Sequence, residues 1–338
     1  MENKIMKFSE QILELQRETN MVAFNPLLDA IDVSFIKYLE NFSDTDQGAR
    51  RILGQMSHVV RRLKIQDIDG HKRLYGRYGE AKFYVLLKDS HGVQIEVLSE
   101  RGLDARGGPD FRIMYQGQEF FAEVKSPVML GGNPKYNSIM ERSLETKIAA
   151  EDQARQTGAG IGVQVIEPHQ KDGRSFSQEK VKLVIENLIQ KFSQNYKSGQ
   201  YAAGDTLALI YLAAHNFPLS GGPIDEKILA VHFDRILKAP ISGELWSAAF
   251  GRKGMPVFCP PDCDGKPSIE GALDEDGILH SYPDVKAICF YVESFGQGHS
   301  GLAGLYRYED RPIKDLVTSL TKIYNDDRNT ETWRFLRI

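Results

Sequence analysis

The sequence has few cysteines, no long apolar run and little net charge, and each of these absences excludes a class of protein. It contains three Cys among 338 residues, which excludes a small secreted scaffold held by disulfides. Its longest apolar run, residues 207–214, is far shorter than the ~20 residues that span a bilayer, and predicts a buried strand. The formal net charge of −4 excludes a uniformly basic coat for nucleic acid.

What remains is the composition of an ordinary globular protein, 41% hydrophobic and 26% charged. A chain of 338 residues is long for one domain and predicts two domains, or one core with large additions. The first residues, MENK, have neither the basic start nor the apolar run of a signal peptide. We therefore expect a cytoplasmic protein with no membrane partner.

Residues 111–126 have the pattern of one β-hairpin. Apolar and polar residues alternate with a period of two on both sides of Gln116-Gly117, as in strands buried on one face. A two-residue loop there, with Gly supplying a positive φ, places Asp110 directly opposite Glu123. Their Cβ atoms would lie roughly 5 Å apart. Lys125, two residues further on, points to the same face.

Two carboxylates opposed on neighbouring strands repel each other, so another charge must offset the repulsion. A hard divalent cation does so, since Mg²⁺ binds through one or two carboxylates and keeps several waters. The other face of the hairpin is apolar and predicts packing on a core, which leaves the reactive groups on rigid strands. The alternative is a surface hairpin with an ordinary Glu/Lys pair.

The string Gly107-Gly108-Pro109-Asp110, followed by Glu123-Val124-Lys125, resembles the site of the restriction-endonuclease-like, or PD-(D/E)XK, nuclease superfamily. There, Pro-Asp is followed after a variable spacer by Asp or Glu, any residue, and Lys, at the ends of neighbouring strands. The resemblance covers residues 71–166. It implies that Asp110 and Glu123 bind Mg²⁺ or Mn²⁺, that the Val124 carbonyl is a further ligand, and that Lys125 orients or activates the attacking water.

A helix over residues 71–88 precedes the hairpin, with an apolar stripe on one face and Arg73, Arg77 and Glu80 on another. The resemblance implies that Glu80 completes the metal site, because a Glu of the first helix often does so in the superfamily. The alternative is an exposed ion pair between Arg77 and Glu80.

The implied fold is α/β, a restriction-endonuclease-like core with a mixed central sheet flanked by helices. Three regions are predicted: an N-terminal helical region (1–70), the core (71–215) and a C-terminal α/β extension of unknown role (216–338). In the core, helix 71–88, strand 93–98 and the hairpin are followed by helix 139–156 and strand 161–166. Downstream, the pattern predicts helices 178–197 and 312–324 and strands 207–214, 228–233, 287–293 and 305–308, which extend the sheet or form a second layer.

A basic segment directly precedes the candidate site. Residues 50–82 contain nine Lys or Arg against three Asp or Glu, an excess suited to phosphate contacts that position a duplex without reading its sequence. The residues expected to contact nucleic acid are Arg73, Arg77, Lys82, Arg106 and Gln153. The alternative, for the basic segment and for Gln153 alike, is a solvated helical surface.

These features favour Mg²⁺-dependent hydrolysis of DNA phosphodiester bonds. Restriction or antiphage defence, repair and element mobility all use a site of this kind. A nuclease with a helical cap and no helicase segment favours an endonuclease of restriction or antiphage defence, acting on duplex DNA with partner proteins of such a system. An RNA-directed nuclease and a non-catalytic nucleic-acid-binding or scaffold protein are the alternatives. Because one site cuts one strand, cleavage of both strands favours a homodimer, with the helical region 1–70 as the leading candidate for its interface.

Overall fold

The computed structural model describes residues 6–22, 25–64, 67–98, 108–128, 133–162, 181–201, 204–213, 229–234, 239–259, 268–293, 300–330 and 334–335. The chain divides into two compact units that interleave along the sequence. Unit 1 comprises Met1–Ala81 and Met129–Gln178, and unit 2 comprises Lys82–Val128 and Glu179–Ile338. The chain therefore passes between the units three times, at points that differ from the region boundaries expected from the sequence.

Unit 1 is helical in its described residues. Its helices are α1 (Phe8–Val22), α2 (Pro26–Asp29), α3 (Val33–Ser43), α4 (Gln47–Val60), the first part of α5 (Ile68–Lys88) and α6 (Asn133–Thr157). Asn25, Asp32 and Asp46 cap α2, α3 and α4 by accepting hydrogen bonds from backbone N–H groups of the first turn. The predicted helical character of residues 1–70 is thus confirmed over the described part.

The strands and the remaining helices belong to unit 2. The strands are β1 (Val93–Val97), β2 (Phe111–Tyr115), β3 (Gln118–Lys125), β4 (Thr206–Ala213), β5 (His232–Asp234), β6 (Ala239–Ile241), β7 (Pro256–Cys259), β8 (Ser268–Ala272), β9 (Val285–Glu293), β10 (Ser300–Tyr306), β11 (Ile323–Asp326) and β12 (Arg334–Phe335). The helices are the end of α5, α7 (Val181–Asn195), α8 (Glu244–Phe250), α9 (Ile278–Ser281) and α10 (Arg311–Leu320), and a 3₁₀ turn spans Ser198–Gln200.

One mixed sheet organises unit 2, with the described strands in the order β1-β2-β3-β4-β9-β10-β11-β12. The hairpin and its neighbour β1 are antiparallel, whereas β3, β4 and β9 run parallel to one another. The α/β class and the mixed central sheet are therefore confirmed. Of the strands after residue 216, β9 to β12 extend this sheet at its far side, one of the two arrangements expected for them, whereas β5-β6 and β7-β8 form two separate two-stranded sheets.

The hairpin forms in the predicted register. Phe111 pairs with Ala122 and Tyr115 with Gln118, so the paired register begins at Phe111 and Asp110 lies just before β2. Both loop residues have positive φ, 50° at Gln116 and 78° at Gly117. These values match the two-residue turn whose twist suits a hairpin, so a non-glycine residue shares the left-handed conformation expected of Gly alone.

The predicted strand 161–166 is not seen in the two of its residues that the structure describes. Ile161 and Gly162 lie outside any strand, and the rest of the predicted strand 161–166 falls outside the described residues. β4 lies beside β3, parallel to it and buried at all eight positions, as expected of a strand covered on both faces. The late helix 312–324 is also shorter than predicted, because α10 ends at Leu320 and β11 follows.

Both faces of the sheet are covered around β3. The end of α5 packs on the face that carries Phe111, where the rings of Tyr84 and Phe111 are 6.1 Å apart. Glu123 and Lys125 point to the opposite face, because successive strand residues alternate. Phe121, on that second face, is also buried. None of the helices in the described ranges combines the length and apolar character required to cross a bilayer.

Candidate functional site

Asp110 is fixed by backbone hydrogen bonds on both sides. Its N–H donates to the Ala122 carbonyl at 3.0 Å, and its carbonyl accepts from the Leu98 N–H at 2.8 Å. Its carboxylate oxygen Oδ2 accepts from the Val124 N–H at 2.8 Å. The strand that carries Glu123 therefore also orients the Asp110 side chain.

Glu123, Lys125 and Gln200 form a closed polar ring. Oε1 of Glu123 accepts from Lys125 Nζ at 2.9 Å and from Gln200 Nε2 at 2.6 Å, and Lys125 Nζ also donates to Gln200 Oε1 at 3.0 Å. The Glu123 side chain is 5% exposed and the Lys125 side chain 14%. Charge-assisted hydrogen bonds of this kind hold two functional groups in one geometry.

The second carboxylate oxygen of Glu123 is buried and accepts no hydrogen bond from any described residue. Burial raises the pKa of Glu123, and the neighbouring Asp110 carboxylate raises it further, while Lys125 acts in the opposite sense. Buried polar atoms in proteins are normally paired. Oε2 is thus an unsatisfied acceptor next to a second carboxylate, which is an environment suited to a cation.

Tyr201 lies close to the same two carboxylates. Burial raises the pKa of its hydroxyl, and the charges of Glu123 and Asp110 raise it further. The ring stacks on Tyr196 with centroids 5.2 Å apart. Its hydroxyl is buried without a partner among the described residues. One site therefore contains an unsatisfied hydrogen-bond donor, the Tyr201 hydroxyl, and an unsatisfied acceptor, Glu123 Oε2.

The residues present fit a Mg²⁺ or Mn²⁺ ion. Asp110 and Glu123 supply the one or two carboxylates that Mg²⁺ takes from protein, and the unsatisfied Oε2 is a ready ligand atom. Within the described ranges, no group of three or more His, Cys, Asp or Glu is arranged to hold a metal. That the Val124 carbonyl is a further metal ligand stays a prediction.

Glu80 belongs to unit 1, where it pairs with Arg77. The Arg77 Nη1 donates to Glu80 Oε2 at 2.7 Å, and their side chains are 24% and 15% exposed. This is the ion pair weighed as the alternative, although it is less exposed than expected. The role of Glu80 in metal binding stays a prediction.

The residues expected to contact nucleic acid do not share one environment. Arg73 is 63% exposed and lies 3.5 Å from Asp67, and Gln153 is exposed on α6. Arg106, like Gly107 of the motif, lies outside the described residues. Exposed ion pairs such as Arg73–Asp67 are weak, so Arg73 stays open to a phosphate contact.

The structure contradicts the predicted contact between Lys82 and nucleic acid. Its side chain is 9% exposed, and its Nζ lies 2.6 Å from Glu293 Oε1 at the end of β9. The other Glu293 oxygen accepts from the Tyr211 hydroxyl. This placement contradicts a surface phosphate contact, because the ammonium is buried and already paired. Charge counting missed the pair because its members are 211 residues apart in sequence.

Sequence reasoning also missed Gln200 and Tyr201. They lie in and just after a 3₁₀ turn, which has no amphipathic pattern to mark it. The only available signal was position, since the pair directly precedes the apolar strand β4. That signal becomes useful once β4 is known to be the neighbour of β3.

None of the protein families, curated proteins or solved structures compared with this chain matches it. The candidate site is therefore defined by what the fold brings together. Its members are Asp110, Glu123, Lys125, Gln200 and Tyr201.

Proposed function

We propose that this protein is a Mg²⁺-dependent nuclease that hydrolyses DNA phosphodiester bonds on a restriction-endonuclease-like core. The observation that carries the proposal is the meeting of three groups: Asp110, whose carboxylate accepts from the Val124 N–H, Glu123 on β3, whose pKa the Asp110 charge raises, and Lys125, which is bonded to Glu123. The helical cap and the lack of a helicase segment favour an endonuclease of restriction or antiphage defence, and cleavage of both strands by a protein with one site favours a homodimer.

Asp110 and Glu123 would hold the metal, which when bound stabilises charge on the scissile phosphate and lowers the pKa of a coordinated water. Lys125 uses two of its three N–H donors on Glu123 and Gln200. The third is left to orient the attacking water or a phosphate oxygen. Gln200 bonds to both Glu123 and Lys125 and so fixes their relative position. Fixed orientation of catalytic groups raises the rate of the chemical step. Hydrolysis forms a bond from water oxygen to phosphorus, breaks the bond to the leaving oxygen, and transfers a proton to that oxygen.

Unit 1 offers basic groups for phosphate contacts. Arg61, Arg62 and Lys64, at and beyond the end of α4, are exposed, and Arg73 on α5 is exposed as well. Contacts of this type position a duplex and make its binding dependent on salt. Their presence supports a nucleic acid as the substrate.

The test is incubation with circular and linear duplex DNA, single-stranded DNA and RNA, each with Mg²⁺, Mn²⁺ or EDTA. We expect cleavage of duplex DNA that EDTA abolishes. Asp110→Asn and Lys125→Ala should each lower the rate by at least about 10²-fold, because each removes charge stabilisation in the transition state.

Glu119→Gln is the matched control, since Glu119 lies on the same strand but its side chain is 47% exposed. Its rate should equal that of the wild type. Near-normal cleavage by Asp110→Asn or Lys125→Ala would refute the site. Cleavage of RNA alone would establish an RNA-directed nuclease, and binding of nucleic acid without cleavage a non-catalytic protein.

A further inference from the structure

A cavity of about 120 Å³ opens beside Lys125, where the end of β3 meets α7. Its polar lining comes from Lys125, Ser126, Lys191 and Asn195, and its apolar lining includes Leu188 and Phe192. This volume is enough to hold several waters. A group as small as a tetrahedral oxyanion therefore fits in the cavity.

The polar groups around the cavity favour an anion. Lys191 supplies one ammonium group and Lys125 a second, which is already bonded to Glu123, and the lining contains no carboxylate. The Ser126 hydroxyl is buried and has no hydrogen-bond partner in the described part of the chain. Because Ser126 is a lining residue, a small rotation of this side chain would let its hydroxyl donate to a ligand oxygen.

The position of the cavity in the sheet is also that of a ligand site. β3 and β4 run parallel, and the cavity lies against the carboxyl end of β3 at Lys125 and Ser126. Open α/β sheets bind their ligands at the carboxyl ends of parallel strands. The volume, the charge and the place in the sheet thus agree.

We propose that this cavity binds a phosphate monoester group, with Lys191 and Ser126 as its specific contacts. Two sources present this chemistry, inorganic phosphate and the terminal phosphate of a nucleic-acid strand. The second source rests on the proposed nuclease function, because it places a strand end next to Lys125. The first does not, so binding of inorganic phosphate can be measured whether or not the protein cleaves DNA.

The first experiment is isothermal titration of inorganic phosphate into the full-length protein in EDTA. We expect saturable binding, weakened about tenfold by Lys191→Gln and measurably by Ser126→Ala, since each removes a hydrogen bond to a charged ligand. Lys197→Gln is the matched control, because Lys197 is exposed and does not line the cavity. Absence of saturable binding, or equal affinity in Lys191→Gln and Lys197→Gln, would overturn the proposal.

The second experiment compares oligonucleotides with phosphate or hydroxyl at their ends, by fluorescence anisotropy in EDTA. About tenfold tighter binding of phosphorylated ends, lost in Lys191→Gln and kept in Lys197→Gln, would identify the strand end as the source. Binding of inorganic phosphate with no preference among ends would identify free phosphate. If inorganic phosphate binds while no nucleic acid is cleaved, the cavity assignment stands and the nuclease proposal fails.

Discussion

His71 on α5 provides a test of the structure of unit 1 through pH. The side chain is buried, and its Nδ1 lies 2.8 Å from the amide nitrogen of Asn25. The Asn25 oxygen accepts from the N–H groups of Leu27 and Leu28, which fixes the orientation of the amide. The amide nitrogen therefore donates to Nδ1, and the imidazole is neutral with its proton on Nε2. Burial lowers the pKa of His71 from 6.5 to about 4, although Asp67 acts in the opposite sense.

Stability falls with falling pH because the unfolded chain binds the proton of His71 at a higher pH than the folded protein does. As the pH falls below 6.5, His71 becomes protonated in the unfolded chain while it stays neutral in the folded one down to about 4. Stability that is present above pH 6.5 is therefore lost as the pH falls toward 4. At 1.36 kcal/mol for each unit of pKa difference, the loss is about 3 kcal/mol.

The measurement is urea unfolding at pH about 7 and about 4, followed by circular dichroism at 222 nm, for the wild type and His71→Gln. Gln can accept from Asn25 but does not titrate, and the carboxylates that titrate in both proteins cancel in the difference. The stability advantage of the wild type over the variant should shrink by about 3 kcal/mol at the lower pH. An advantage that is the same at both values would refute the neutral, buried His71.

Three further predictions concern surface charge, the buried ion pair and assembly. Arg73→Ala combined with Arg77→Ala should weaken DNA binding similarly for all sequences and reduce the slope of affinity against salt by about two phosphate contacts, as measured by anisotropy; an unchanged slope would place the DNA path elsewhere. Lys82→Met should lower the free energy of unfolding by about 3–5 kcal/mol, because it leaves Glu293 buried without its cation. The added change Glu293→Gln should recover part of this loss in the same urea titration, and no recovery would exclude the ion pair as its cause. Light scattering should give about twice the chain mass of 38.1 kDa, and a monomer that linearises circular duplex in one encounter would contradict the homodimer.

The hairpin could be predicted from sequence because everything that specifies it is local. The alternation of apolar residues fixes the faces, and a two-residue loop at Gln116-Gly117 fixes the register. Asp110, Glu123 and Lys125 follow from that register without knowledge of any distant residue. The observed pairing of Phe111 with Ala122 confirms the reasoning.

The rest of the site depends on which distant strand pairs with β3, and no local pattern encodes that choice. The unbroken apolar run of β4 was recognisable as a buried strand, but its partner was not. Without that partner there was no reason to look at Gln200. The same limit applies to Lys82, whose partner Glu293 lies at the end of β9, 211 residues further along the chain.

The polar ring of Glu123, Lys125 and Gln200 also has a consequence for synthesis of the chain. Lys125 and Gln200 are 75 residues apart, so at 5–20 residues per second a ribosome needs roughly 4–15 s to add the second after the first. Through that interval the nascent hairpin carries two carboxylates without the amide that closes the ring. The edge of β3 also waits for β4 with its backbone groups unpaired, which is the state in which a strand edge joins another chain. We therefore expect the yield of folded protein to depend on how the emerging hairpin is protected during this interval.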